Sequence, residues 1–142
     1  MSLSMSPAER EAFLAGVHVG VLTVAAGDGR GPIATPVWYS YQPGGLVSVN
    51  TGADSRKARA IAAAGRFSLC AQDERAPYKY VTVEGPAIIE PADLAELAAI
   101  ARRYLGTEAG DAWIAANPDA DGVMIRLTPE HWQSADFGNA QA

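Results

Sequence analysis

The chain has 142 residues, a formal net charge of −5, 49% hydrophobic residues and 19% charged residues. This composition is typical of an ordinary globular protein and argues against intrinsic disorder, while the acidic balance argues against a nucleic-acid partner. The length predicts one domain over residues 1–142. No run approaches the roughly 18 apolar residues of a membrane span, and the first ten residues do not resemble a secretion leader. A cytoplasmic protein is therefore expected.

The single cysteine, Cys70, lies in the apolar run from Phe67 to Ala71. One cysteine cannot form a disulfide within the chain, which agrees with a reducing compartment. A cysteine in such a run is expected to be a buried, inert thiol.

The first element is a short helix that runs to about Gly16, with Ser6 as its N-cap and Glu9 completing a capping box. A β-branched run over 18–25 then predicts a strand, followed by a glycine cluster at 27–31. A phosphate-binding glycine motif must open a helix. This cluster leads instead into a second extended segment, 32–41, so it is interpreted as a hairpin turn.

Residues 46–51 alternate apolar and polar side chains and predict a third strand, giving three antiparallel strands in succession. A helix is predicted over 55–64, with Gly65 ending it. Two further strands are predicted over 66–72 and 78–89, the second bent at Gly85 and Pro86.

A helix opening after Pro91 and Asp93 is predicted to bury one apolar stripe. The stripe comprises Leu94, Leu97, Ala98, Ala101, Tyr104 and Leu105. A second helix over 108–116, a last strand over 123–127, and a tail that carries His131, Trp132 and Phe137 complete the pattern. The order of elements predicts a mainly antiparallel β-barrel with flanking helices at its mouth or edge.

Arg56 and Lys57 lie in the first turn of the helix that Ser55 opens. The positive end of the helix macrodipole lies there, so cations are unfavourable and an anion would be stabilised. Free N–H groups, two hydroxyl groups and two cations together make a phosphate site. The alternative is a capped, solvated helix in which Asp54 neutralises one of the cations. These residues alone do not decide between the two.

The run Ser55-Arg56-Lys57 between a strand and a helix, followed about 25 residues later by the segment 81–86, resembles the pyridoxamine 5′-phosphate oxidase-like family. The resemblance implies a split antiparallel β-barrel that binds a flavin at the interface of a homodimer. It implies that Thr51, Ser55, Arg56 and Lys57 hold the phosphate of FMN or, alternatively, of the deazaflavin coenzyme F420. It further implies that the ring lies along Pro36, Val37 and Trp38, is flanked by Val49 and Asn50, and is completed by Trp132 or Phe137 of the second subunit.

The sequence also departs from the oxidase pattern. Tyr80 stands where the oxidase has a glutamine, and the basic residues with which the oxidase grips its substrate phosphate have no match. The resemblance therefore implies hydride transfer between the cofactor and a small organic substrate other than pyridoxamine phosphate. The alternative is a flavin- or haem-binding carrier or sensor without turnover. No catalytic side chain is predicted, and His18 and His131 lack metal-ligand spacing.

Overall fold

The computed structural model describes residues 2–117 and 122–141. In chain order, the elements are α1 (Pro7–Ala15), β1 (Gly20–Val24), β2 (Ile33–Val37), β3 (Val47–Thr51), α2 (Arg56–Ala64), β4 (Arg66–Asp73), β5 (Lys79–Pro91), α3 (Leu94–Leu105), α4 (Thr107–Ala116), β6 (Val123–Leu127), β7 (His131–Asp136) and a closing 3-10 turn (Phe137–Gln141).

The strands form one antiparallel sheet in the order β2-β1-β4-β5-β6-β3, and β7 also pairs with β5. The sheet curls so that β2 and β3 lie at its two ends, where one bridge between Ser40 and Ser48 joins them. This is a split antiparallel β-barrel with flanking helices, as predicted. The predicted succession of three paired strands is correct for β1 and β2 only, because β3 pairs with β6 instead.

Strand β5 connects the two halves of the barrel. Residues 79–86 pair with β4, and residues 87–91 pair with β6. The change of partner falls at the predicted bend, where Gly85 packs against the carbonyl oxygen of Thr128 so closely that an added Cβ would overlap it. Gly85 is thus required by a close backbone approach.

Alternation along the strands fills the barrel with apolar side chains. On β4, Phe67, Leu69 and Ala71 face inward and are buried. Cys70 therefore faces outward and is only half-buried, so the expectation of a buried thiol was wrong.

The predicted ends of α1 and α2 are correct, whereas the predicted buried face of α3 is correct only in part. The capping box of α1 is present, and Gly65 ends α2 in the left-handed conformation, both as predicted. On α3, Leu97 and Ala101 are buried as expected, whereas Leu94 and Leu105 are 57% and 41% exposed. The tail forms strand β7, which the sequence analysis missed.

None of the described helices is both long and apolar enough to span a membrane. Within the same residues, no group of three or more His, Cys, Asp or Glu side chains could hold a metal ion.

Candidate functional site

The end of β3 and the start of α2 bring Thr51 and Ser55 together, and Arg56 and Lys57 follow as the first two residues of the helix. The Ser55 Oγ accepts a hydrogen bond from the N–H of Ala58 at 3.2 Å and lies 3.1 Å from the Thr51 Oγ1. The N–H of Ser55 donates to the carbonyl oxygen of Gly52 at 3.1 Å, which closes the turn between strand and helix. These bonds fix two hydroxyl groups beside the N-terminus of α2.

The charges at this helix end are not balanced by the protein. The first turn of α2 has no acidic residue. Arg56 is exposed and Lys57 half-buried, and across residues 2–117 and 122–141 neither forms an ion pair, nor does Asp54. The predicted alternative of neutralisation by Asp54 is therefore not formed.

A depression of about 550 Å³ lies at the same helix end, lined by Gly52, Ala53, Asp54, Ser55 and Gly122. The helix itself provides no acceptor for the N–H groups of Arg56 and Lys57, because they belong to its first turn. Free N–H groups, hydroxyl groups and unpaired cations are the donors that a phosphate requires. The donor set thus fits the phosphate of a flavin-type cofactor.

The barrel is split between the two ends of the sheet, β2 and β3. Pro36, Val37 and Trp38, which are predicted to lie along the ring, are on the β2 side of this split. Pro36 and Val37 end β2, and Trp38 follows. The antiparallel bridge between Ser40 and Ser48 sets a register that brings Trp38 level with Asn50. Both strands are ends of the sheet, and apart from the bridge between Ser40 and Ser48 no main-chain hydrogen bond joins the two edges in the described part of the chain.

Trp38 belongs to an aromatic cluster that the sequence analysis did not predict. Its ring stacks on Tyr104 of α3 with 5.2 Å between centroids and an interplanar angle of 6°, and it lies 5.7 Å from the Trp113 ring. The Tyr104 hydroxyl accepts from the N–H of Tyr39 at 3.1 Å and donates to the carbonyl oxygen of His18 at 2.6 Å. Burial raises the pKa of Tyr104, which keeps this hydroxyl protonated. Only the position of Tyr104 on the predicted stripe of α3 hinted at such packing.

The two residues predicted to flank the ring differ in burial. Val49 is completely buried. Asn50 is half-buried, and its Nδ2 donates to the carbonyl oxygen of Val123 at 3.4 Å. Both stay predictions as cofactor contacts.

Trp132 is engaged within its own chain. It lies on β7 and makes an edge contact with the Tyr41 ring, with 6.2 Å between centroids. The guanidinium of Arg10 lies over the Trp132 ring, 4.8 Å from its centroid. The structure thus gives Trp132 a packing role between α1 and the barrel. A contact with a cofactor in a second subunit stays a prediction, as it does for Phe137, which is 40% exposed.

A separate cavity of about 580 Å³ lies between α3 and the segment 40–48, and Arg103 and Arg126 line it. Arg126 is paired with carboxylates, whereas Arg103 forms no ion pair among the described residues. Arg126 binds Glu96 and Glu90 at 2.8 Å and Ser48 at 2.9 Å, and the two glutamates raise its pKa.

Arg103 donates to the carbonyl oxygens of Ala15 and Gly16, which lie at the end of α1. Because Arg126 is neutralised by Glu90 and Glu96, the cavity does not offer a pair of free cations.

A family model described as pyridoxamine 5′-phosphate oxidase matches residues 6–136. The chain belongs to this family. A search of curated proteins found no relative with significant similarity.

Solved structures share the fold. A conserved hypothetical protein from Mycobacterium tuberculosis is 24% identical with a TM-score of 0.78, and the match covers 99% of this chain and 90% of that one. An F420 reductase is 24% identical with a TM-score of 0.71, covering 87% and 94%. An FAD-binding protein from Mesorhizobium loti is 18% identical with a TM-score of 0.64, covering 92% and 94%.

Proposed function

We propose that the chain binds FMN with its phosphate at the N-terminus of α2 and acts as an oxidoreductase on a small organic substrate. The observation that carries this proposal is the capped helix start, where Arg56 and Lys57 have no acidic partner in the described part of the chain. Thr51 and Ser55 add two hydroxyl groups at the same place. The cofactor supplies the hydride chemistry, and the protein supplies binding and orientation.

The free strand edges support a position for the ring. From the helix start, the split between β3 and β2 leads past Asn50 toward Trp38 and Pro36. Unpaired main-chain groups of these edges would orient the ring by hydrogen bonds, which needs no particular side chain. This agrees with the absence of a predicted catalytic residue.

The local cations favour FMN over the deazaflavin, whose anionic tail would require further positive charge. Lys79 is 3.9 Å from Asp136, and Arg75 is 3.3 Å from Asp73, so both are paired. Of the cations Lys79, Arg59 and Arg75, Arg59 alone forms no ion pair within residues 2–117 and 122–141. One exposed arginine is a weak anchor for such a tail.

The test for turnover is electron transfer to a generic quinone acceptor. Protein supplied with reduced FMN, and separately with the reduced deazaflavin, is compared with each free cofactor. The proposal predicts faster reduction of the acceptor with protein present. Tight binding without acceleration would favour the alternative, a carrier or sensor.

We predict that the protein is a homodimer in which two subunits share each cofactor site. A single barrel of this size has little surface with which to enclose a flavin, and ligand sites often lie at interfaces. The segment just before β1 supports an interface, because Val17 and Val19 are 57% and 56% exposed and line a depression with Pro36 and Cys70. Analytical ultracentrifugation at micromolar concentration is expected to give the dimer. A monomer that binds FMN stoichiometrically would refute the shared site.

We also predict that the FMN-loaded protein does not oxidise pyridoxamine 5′-phosphate at a useful rate. The phosphate of that substrate needs a second anion site, and burying a dianion without cations is costly. Arg126 is bound to two carboxylates, and Arg103 to main-chain carbonyl groups. Product formation with oxygen is the assay, beside the quinone reaction. Robust turnover would show that a substrate phosphate site exists.

A further inference from the structure

Gly122 lies directly against the loop that carries the candidate phosphate residues. It precedes Val123, which pairs with Thr51 across β6 and β3. A Cβ built on Gly122 would overlap the carbonyl oxygen of Thr51 and lie 3.5 Å from the Cα of Gly52. The φ angle of Gly122 is not in the left-handed region, so glycine is needed here for space and not for backbone conformation.

Gly122 cannot easily move away from this contact. Its carbonyl oxygen accepts a hydrogen bond from the N–H of Ala92 at 3.1 Å, which ties it to the end of β5. On the other side, the peptide between Thr51 and Gly52 leads into the turn that Ser55 closes. Gly122 is therefore held between β5 and this turn.

Resting on the proposed function, we infer that Gly122 is a positioning residue for the cofactor phosphate. A side chain at this position displaces the peptide between Thr51 and Gly52. The displacement moves the Thr51 hydroxyl relative to Ser55 and turns the N–H groups of the first turn of α2 away from the phosphate. The effect falls on the phosphate and not on the flavin ring, because Gly122 lines the depression at the helix start.

The test compares the dissociation constants of FMN and riboflavin, which differ only in the phosphate. Gly122→Ala is expected to weaken FMN binding by about tenfold, the scale of one hydrogen bond to a charged group, and to leave riboflavin binding unchanged. Gly110→Ala is the matched control, because its added Cβ would lie 2.7 Å from the Arg102 backbone on α3, away from the candidate site. This control is expected to lower the melting temperature and to keep the preference for FMN.

The outcomes separate the inference from the proposed function. If the wild type prefers FMN and Lys57→Ala loses that preference while Gly122→Ala keeps it, only the inference is overturned. If the wild type binds FMN no better than riboflavin, both fail. Should Gly122→Ala not fold, Ala92→Pro removes the N–H that holds Gly122 and adds no atom against Thr51. The same selective loss of FMN binding is then expected, and an unchanged preference overturns the inference.

Discussion

Lys57→Ala is expected to weaken FMN binding by about 1.5–3 kcal/mol, the usual contribution of a hydrogen bond to a charged group. This corresponds to roughly a 10- to 150-fold rise in the dissociation constant. Lys57 is half-buried at the start of α2 and forms no ion pair within residues 2–117 and 122–141. Flavin fluorescence titration gives the constant, and Arg56→Ala is expected to behave similarly.

Arg59→Ala is the matched control, since Arg59 is an exposed cation on the same helix whose N–H is already bonded to the Ser55 carbonyl oxygen. It is expected to bind FMN almost as the wild type does. Without cofactor, Lys57→Ala is expected to melt no lower than the wild type, because it removes a cation from the positive end of the helix dipole. Equal affinities for all variants would disprove the phosphate assignment. A large fall in the melting temperature of the empty variant would make Lys57 structural.

Gly85→Ala is expected to destabilise the fold by about 3 kcal/mol or more, beyond the usual range for overpacking. The added Cβ would overlap a backbone oxygen, that of Thr128, which cannot move as a side-chain tip can. The residues around it also have to keep β5 paired with β4 on one side of the bend and with β6 on the other. Urea denaturation of the cofactor-free protein measures the effect.

Gly31→Ala provides the comparison, because its added Cβ would meet no atom within 4 Å. It is expected to change the free energy of unfolding by no more than about 0.5 kcal/mol, as most surface substitutions do. If Gly85→Ala unfolds at the same urea concentration as Gly31→Ala, the bend of β5 tolerates a side chain and the account of this corner is wrong.

Local signals in the sequence predicted most of the elements. The capping box at Ser6 and the stop at Gly65 depend on nearby residues and have the predicted place in the structure. At the predicted bend of β5, the strand changes its pairing partner. The pairing of strands that are distant in sequence could not be predicted in this way. The alternation in β3 does not show that its partner is β6. The residues of β7 are mostly polar, and only Trp132 and Ala135 are apolar there, so no periodic pattern marked this strand.

In the candidate site, too, contacts between residues close in sequence were predictable, and contacts between distant residues were not. Thr51, Ser55, Arg56 and Lys57 are neighbours in sequence, so their meeting at one helix end followed from local structure. The stacking of Trp38 on Tyr104 joins a residue just after β2 to one on α3, and no local pattern specifies it. Gly122 is equally remote in sequence from the Thr51 peptide that it contacts.

The central claim is that the phosphate of a flavin-type cofactor binds at the start of α2, and a titration of the purified dialysed protein tests it most directly. FMN, riboflavin and the deazaflavin are each titrated while the change in cofactor absorbance is followed. FMN is expected to bind at least about tenfold more tightly than riboflavin, since only the phosphate of FMN reaches Arg56 and Lys57. Equal affinity for FMN and riboflavin, with no binding of the deazaflavin, would contradict it.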